Sequence, residues 1–280
     1  MEVGFISGVL GKNGILKVAQ WAKENGFGVI ELGSIIPLNE KEFKKAIEQT
    51  NIKIISLGYC RNFLSSVKKE REEYINSLWQ RIEFASKMGI KYVFTSTGKD
   101  ENRNLEDNIP LVVKLFTPIM EEARKKGVTI LFENCPAFGN IFISPYMWRE
   151  TLKKYPSFDL KLVYDPSHLI WQGIDCYRPI KEFGKRIVYL HAKDTEIIKE
   201  ELEDKGILYG AHFGWNIWWR HRLPGWGIIN WKKIITLLME AGFNGVLSIE
   251  HEDPVWSENE EKIKASLIMT KHYLESLIPK

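Results

Sequence analysis

Eight short apolar runs recur along this 280-residue chain, and their alternation with longer amphipathic stretches limits the possible folds more than any other feature. The runs cover residues 2–7, 28–32, 53–57, 91–96, 128–133, 161–165, 186–191 and 245–250. Each is continuously apolar rather than alternating, which suits strands covered on both faces, as in a parallel sheet. The stretches between them carry apolar residues at helical spacing. Residues 15–26 close on Gly26, a C-cap residue type. Asn39 with Glu42, and Ser257 with Glu260, have the spacing of capping boxes. Ser144 ahead of Pro145 places an N-cap before a proline at the first helical position. A last helix is expected near 257–276. Eight units in 280 residues is 35 residues each, the size of a βα unit in a barrel. The pattern predicts an α/β chain folded as one (β/α)8 TIM barrel over 1–280, undivided by any Pro/Gly/Ser-rich linker. An open doubly wound sheet would call for GxGxxG after the first strand, and none stands there.

Charge and hydropathy exclude several roles. With 39 basic and 36 acidic side chains the net charge is +3, which gives no electrostatic case for nucleic acid or an anionic membrane as partner. The apolar runs fall well short of the ~20 residues that span a bilayer. The N-terminus MEVGFISGVL lacks a basic segment followed by a long apolar one, so no secretion signal is expected. Cys60, Cys135 and Cys176 are widely spaced and form no CxxC, which argues against a disulfide framework or a structural zinc site. A reducing cytoplasm is the expected location.

The strand ends carry the chemistry. In such a barrel, catalytic groups stand at the C-terminal ends of the strands. The fifth strand ends on Glu133, the sixth on Asp165, the seventh on His191 and the eighth on Glu250. A lone carboxylate at a strand end is commonly an edge residue or a helix cap. Four ligand-type residues at four successive strand ends point to one shared site. Three converging carboxylates would raise one another's pKa unless a cation compensated them. A divalent ion does this, and three carboxylates with one imidazole suit Mn²⁺, Mg²⁺ or Co²⁺ better than a thiolate-type centre. Mn²⁺ is expected first, with Zn²⁺ also compatible. His168, in DPSH, is expected either to orient this site or to touch substrate, unless it simply packs or caps its loop.

From Glu133 to Asp165 is 32 residues and from Asp165 to His191 is 26, but His191 to Glu250 is 59. The excess predicts a long loop after the seventh strand, roughly 195–229, crowded with Trp215, Trp218, Trp219 and Trp226. Such a loop suits a lid or substrate wall, and equally a contact in a homo-oligomer.

The segments LFENCP, YDPSHLIWQGID, YLHAKDTE, RLPGWGIINW and SIEHEDP resemble the xylose-isomerase-like barrel superfamily. More narrowly, the chain is similar to the sugar phosphate isomerase/epimerase group, which includes tagatose/allulose 3-epimerases and inosose dehydratase. The resemblance covers nearly the whole chain and is strongest over 128–256. It implies a metal held by Glu133, Asp165, His191 and Glu250, a small carbohydrate bound through its oxygens, and Glu133 and Glu250 as a catalytic acid–base pair working through an enediolate. His168 matches a family histidine that contacts substrate. The 3-epimerases carry a substrate-binding arginine six residues after the seventh-strand histidine, and here Ile197 stands there. Lys193 or Arg222 is expected to supply that charge, which would suit an acidic, phosphorylated or keto-sugar substrate. Otherwise Lys193 would pair with Asp194 or a nearby carboxylate, and Arg222 would anchor its loop.

Two rival activities use the same barrel. A dehydratase would remove the same proton and then expel a β-hydroxyl, with His221, Glu252 or Asp253 as the acid. An apurinic endonuclease is suggested by RHRLPGWG, with His221 as a zinc ligand. Trp219 stands where that enzyme needs aspartate, and SLGYC and TSTGK lack its further histidines. A non-catalytic metal- or carbohydrate-binding barrel is disfavoured by the presence of both Glu133 and Glu250.

Overall fold

The computed structural model describes residues 1–209 and 218–279. Its strands are β1 (Glu2–Ile6), β2 (Val29–Leu32), β3 (Lys53–Gly58), β4 (Tyr92–Thr95), β5 (Thr129–Glu133), β6 (Leu162–Tyr164), β7 (Ile187–Ala192), β8 (Asp194–Ile197), β9 (Trp219–Arg222) and β10 (Val246–Ile249). Eight of them form a closed barrel in the order β1-β10-β7-β6-β5-β4-β3-β2, with β8 and β9 as a separate two-stranded ribbon. Each barrel strand falls within an apolar run of the sequence, give or take a residue. The ends shift slightly: β6 stops at Tyr164 and β10 at Ile249, so Asp165 and Glu250 are the first residues beyond their strands.

The helix caps follow their side chains. Asn39 Oδ1 accepts from the amides of Lys41 (3.1 Å) and Glu42 (3.2 Å). Ser144 Oγ accepts from Met147 N, with Pro145 opening the helix. The last helix differs from expectation. It runs Glu260–Leu277 and is capped by Asn259, whose Oδ1 accepts from Lys262 N at 2.9 Å. Ser257 instead donates to the Asp253 carbonyl at 2.7 Å, a local bond that competes with capping. No helix among the described residues is long and apolar enough to cross a membrane.

The chain divides into two compact units, Ile6–Tyr164 and Met1–Phe5 with Asp165–Lys280. In the first, β2 through β6 pair in parallel, each with the next along the chain. Its core is threaded by phenylalanines. Phe132 on β5 meets Phe116 edge-on at 5.0 Å and Phe142 at 5.2 Å, and Phe116 meets Phe63 at 5.6 Å. All four rings are fully buried. Edge-to-face pairs of this kind add about 0.5–1.5 kcal/mol each beyond their buried area.

In the second unit, β10 lies between β1 and β7, with Ser248 opposite His191. Its excursion after β7 is more ordered than one long loop: β8 leads through the helix Lys199–Lys205 and returns as β9, antiparallel, with Asp194 opposite Arg222. Trp218 and Trp219 are buried, Trp226 is exposed, and Trp215 lies outside the described residues. Asp194 fastens the base of this excursion. One oxygen accepts from Thr195 N (2.8 Å) and Ile229 N (3.0 Å), the other from Gly225 N (3.1 Å) and Trp231 Nε1 (2.8 Å). Gly227 is needed here, because a Cβ on it would stand 2.2 Å from Asp194 Oδ1.

Candidate active site

Within the second unit, four elements bring charged groups to one buried place. Asp165 follows β6, His168 sits in the short helix Ser167–Ile170, His191 is on β7 with Lys193 just beyond it, and Glu250 follows β10. Asp165, His168, His191 and Lys193 are all nearly or fully buried. Lys193 Nζ is the hub. It lies 2.8 Å from Glu250 Oε2, 2.9 Å from Glu252 Oε2, 3.2 Å from Asp165 Oδ2 and 3.3 Å from His168 Nε2. Asp165 Oδ1 accepts from Ser167 N at 2.8 Å, which fixes the carboxylate. His191 Nδ1 lies 3.3 Å from Glu250 Oε2.

The electrostatics follow from this crowding. Burial alone would raise the Glu250 carboxyl, but the Lys193 ammonium and His191 hold it well below the usual carboxylate range. Burial, reinforced by Lys193 and His221, pushes the His168 imidazole far below its ordinary value, so it is neutral at pH 7. His221 is likewise pushed down to about 3 by burial and Lys193. Its Nε2 lies 3.5 Å from Glu252 Oε2. A wall of rings adjoins it: Trp219 meets His221 at 4.9 Å and stacks on Trp171 at 4.6 Å, the two planes nearly parallel.

The donor set suits a divalent cation. Asp165, His168 and Glu250 each offer one ligand atom within 4.8 Å of the others, and His191 presents Nδ1 to the Glu250 carboxylate. Hard carboxylate oxygens with imidazole nitrogen are the donors that Mn²⁺, Mg²⁺ or Zn²⁺ accept. Mutual repulsion of the acids, for which the sequence called for a compensating cation, is relieved here by the Lys193 ammonium.

Glu133 belongs to the other unit. It is the last residue of β5, opposite Val163, and is buried. Cys60 Sγ lies 3.9 Å from its Oε2, and Asn140 Nδ2 donates to its carbonyl at 2.7 Å.

Both cations expected at the substrate are engaged by carboxylates. Lys193 pairs with Asp165, Glu250 and Glu252 rather than with its neighbour Asp194. Arg222 donates from Nε to Asp253 Oδ2 at 2.8 Å and from Nη1 to Glu196 Oε2 at 2.5 Å. Three participants escaped the sequence reading. Glu252 figured only as an alternative acid, although its spacing two residues past Glu250 carried a signal. Asp194 was noticed as a charge, not as an acceptor of four hydrogen bonds. Trp171 gave no local sign of its stacking on Trp219, because that pairing joins residues 48 positions apart.

Residues 19–273 match the family model described as xylose isomerase-like TIM barrel. Among curated proteins, the inosose dehydratase of Bacillus cereus (strain AH820) is 26% identical over 250 residues, covering 82% of this chain and 79% of that protein. Among solved structures, an IolI protein with a bound zinc atom superposes with a TM-score of 0.74 at 22% identity, covering 99% of this chain and 96% of that one. A D-tagatose 3-epimerase-like protein superposes with a TM-score of 0.75 at 20% identity, covering 99% and 97%. At those identities the solved structures attest the fold alone. With the family model matched over most of its length, the chain belongs to the xylose isomerase-like TIM barrel family.

Proposed function

We propose that this chain is a divalent-metal-dependent enzyme acting on a small carbohydrate, as an isomerase or epimerase that moves a proton at the carbon beside a carbonyl. The observation that carries the reading is the Glu250 carboxylate, held ionised in a buried cluster with Asp165, His168, His191 and Lys193. Asp165, His191 and Glu250, joined by Glu133 from the end of β5, would hold the cation. When bound, it supplies Lewis-acid polarisation of the substrate oxygens. Glu250 and Glu133 are the acid–base pair, one taking the proton next to the carbonyl and the other returning it. His168, neutral at pH 7, donates or accepts a hydrogen bond to a substrate hydroxyl without adding charge. The Trp171–Trp219 stack, with His221 against it, gives an apolar wall that keeps water from the reacting carbon. Mn²⁺ is the metal proposed, and a cytoplasmic enzyme is the proposed setting.

A second reading, dehydration of a keto-inositol or keto-sugar, shares the proton abstraction and adds loss of a β-hydroxyl. It is favoured by the His221–Glu252 contact beside Lys193, which places further polar groups next to the cluster, and by the name of the curated relatives. One experiment separates the two. Metal-loaded protein is incubated in D₂O with ketoses, keto acids and inososes and followed by NMR. Deuterium incorporation without loss of water supports the isomerase or epimerase, and incorporation with loss of water supports the dehydratase. Absence of exchange across the panel would overturn both.

A further inference from the structure

Because Lys193 and Arg222 are neutralised by carboxylates, a charge for the substrate has to be sought elsewhere. Unit Ile6–Tyr164 carries two other cations at the C-terminal ends of its strands: Arg61, three residues beyond β3, and Lys99, four residues beyond β4. Arg61 is half-buried. Its Nη1 donates to the Cys60 carbonyl at 2.7 Å, and its own carbonyl accepts from Ser96 Oγ at 2.8 Å. Its guanidinium lies 4.8 Å from the Tyr59 ring centroid and 6.0 Å from that of Phe138. Among the described residues no carboxylate forms an ion pair with Arg61 or Lys99. Tyr59 is itself backed by Arg81, 3.9 Å from the ring, which donates to the Ser34 and Ser77 carbonyls.

The scaffold around these cations is fixed. Asn62 Oδ1 accepts from Lys99 N (2.9 Å) and Leu64 N (3.2 Å), tying the loop after β3 to the loop after β4. Gly98, at φ +73°, permits this closeness, since a Cβ there would stand 2.3 Å from Phe63 N. The Lys99 stem and Asn62 both lie against Gly139. Arg61 is therefore held by ring stacking and a backbone bond, which leaves most of its planar fork unused. A half-buried guanidinium so held suits bidentate capture of an anion. The place is also telling: Cys60, the preceding residue, is the one whose Sγ lies 3.9 Å from Glu133 Oε2.

We infer that Arg61, seconded by Lys99, binds an anionic substituent of the substrate, a carboxylate or a phosphate, at the same C-terminal strand-end face of this unit as Glu133. The inference rests on the reading of Glu133 as an acid–base residue, and it narrows the substrate to an acidic carbohydrate. Calorimetric titration of Mn²⁺-loaded protein with D-fructose 6-phosphate, 2-keto-D-gluconate and D-fructose tests it without requiring turnover. Wild type is expected to bind at least one anionic probe roughly tenfold or more tighter than D-fructose, the usual gain from a charge-assisted pair. Whichever anionic probe gains identifies phosphate or carboxylate as the group recognised. Arg61→Gln is expected to lose the preference while its D-fructose affinity stays unchanged, and Arg61→Lys to keep part of it. Should Arg61→Gln fail to fold, Lys99→Gln is expected to weaken the preference. The inference is overturned by equal affinities in wild type, or by a preference that survives both Gln substitutions. Anion preference without deuterium exchange would leave the subsite standing and remove the proposed reaction instead.

Discussion

Replacing Lys193 by Met tests the electrostatic reasoning directly. Met keeps the length and apolar stem of lysine and removes only the ammonium that faces Asp165, Glu250 and Glu252. Deleting one partner of a buried charge pair costs about 3–5 kcal/mol, because the other charge is left uncompensated. At about 2–3 °C per kcal/mol for a chain of this size, the metal-free variant should melt about 6–15 °C below wild type at pH 7. The pH dependence gives the sharper test. In wild type the Glu250 carboxyl lies below its unfolded value, so its contribution is present above that value and is lost as pH falls through the folded pKa. In the variant burial is opposed by His191 alone, and the carboxyl rises. Its folded form is then favoured below the unfolded pKa, and stability is lost as pH rises. The gap between the two proteins should therefore be large at pH 7 and shrink toward pH 4. Adding Mn²⁺ should raise the melting temperature more in the variant, since the ion takes over the role of the missing ammonium. Thermal unfolding by circular dichroism in chelator, at pH 4 to 8, reads all of this. A gap independent of pH, or a variant as stable as wild type at pH 7, would refute the reasoning.

Other perturbations have equally definite outcomes. Glu133→Gln and Glu250→Gln should each lower deuterium exchange by roughly 10²–10⁴-fold with the fold retained, as measured by NMR in D₂O; activity within tenfold of wild type would remove that residue from the acid–base pair. Chelation should abolish exchange and lower the melting temperature, and Mn²⁺ should restore both; full turnover in chelator would end the metal reading. Asp194→Ala should cost several kcal/mol, since it strands the Gly225 and Ile229 amides and the Trp231 indole at about 1–3 kcal/mol each, while Asp194→Asn, which keeps one acceptor oxygen, should cost less in denaturant titration.

The barrel was readable because its signal is local. Continuous apolar runs such as Thr129–Phe132 and helical periodicity between them follow from burial on both faces of a strand, and that pattern survives without any knowledge of partners. The positions of Glu133, Asp165, His191 and Glu250 at or just beyond strand ends were readable for the same reason, because each ends such a run. What stayed hidden depends on side chains reaching across the fold. Ser257 looked like a cap, but a carbonyl four residues before it captured its hydroxyl, and Asn259 capped the helix instead. Lys193 read either as a group for the substrate or as the partner of a nearby carboxylate, and which carboxylates stayed hidden because the acids that hold it come from segments on either side of it in the chain. Arg61 carried no sequence signal, because what sets it apart is that among the described residues no carboxylate pairs with it, and no sequence pattern records that.

The fastening at Asp194 has an evolutionary consequence. One carboxylate locks the departure and the return of the excursion to each other, and Ile198 N closes the ribbon on the Trp218 carbonyl at 2.8 Å. The helix Lys199–Lys205 hangs from that neck. Insertions, deletions and wholesale replacement there leave the staves of the barrel untouched. Changes to that appendage can therefore accumulate while the strands that lead to Asp165, His191 and Glu250 stay as they are.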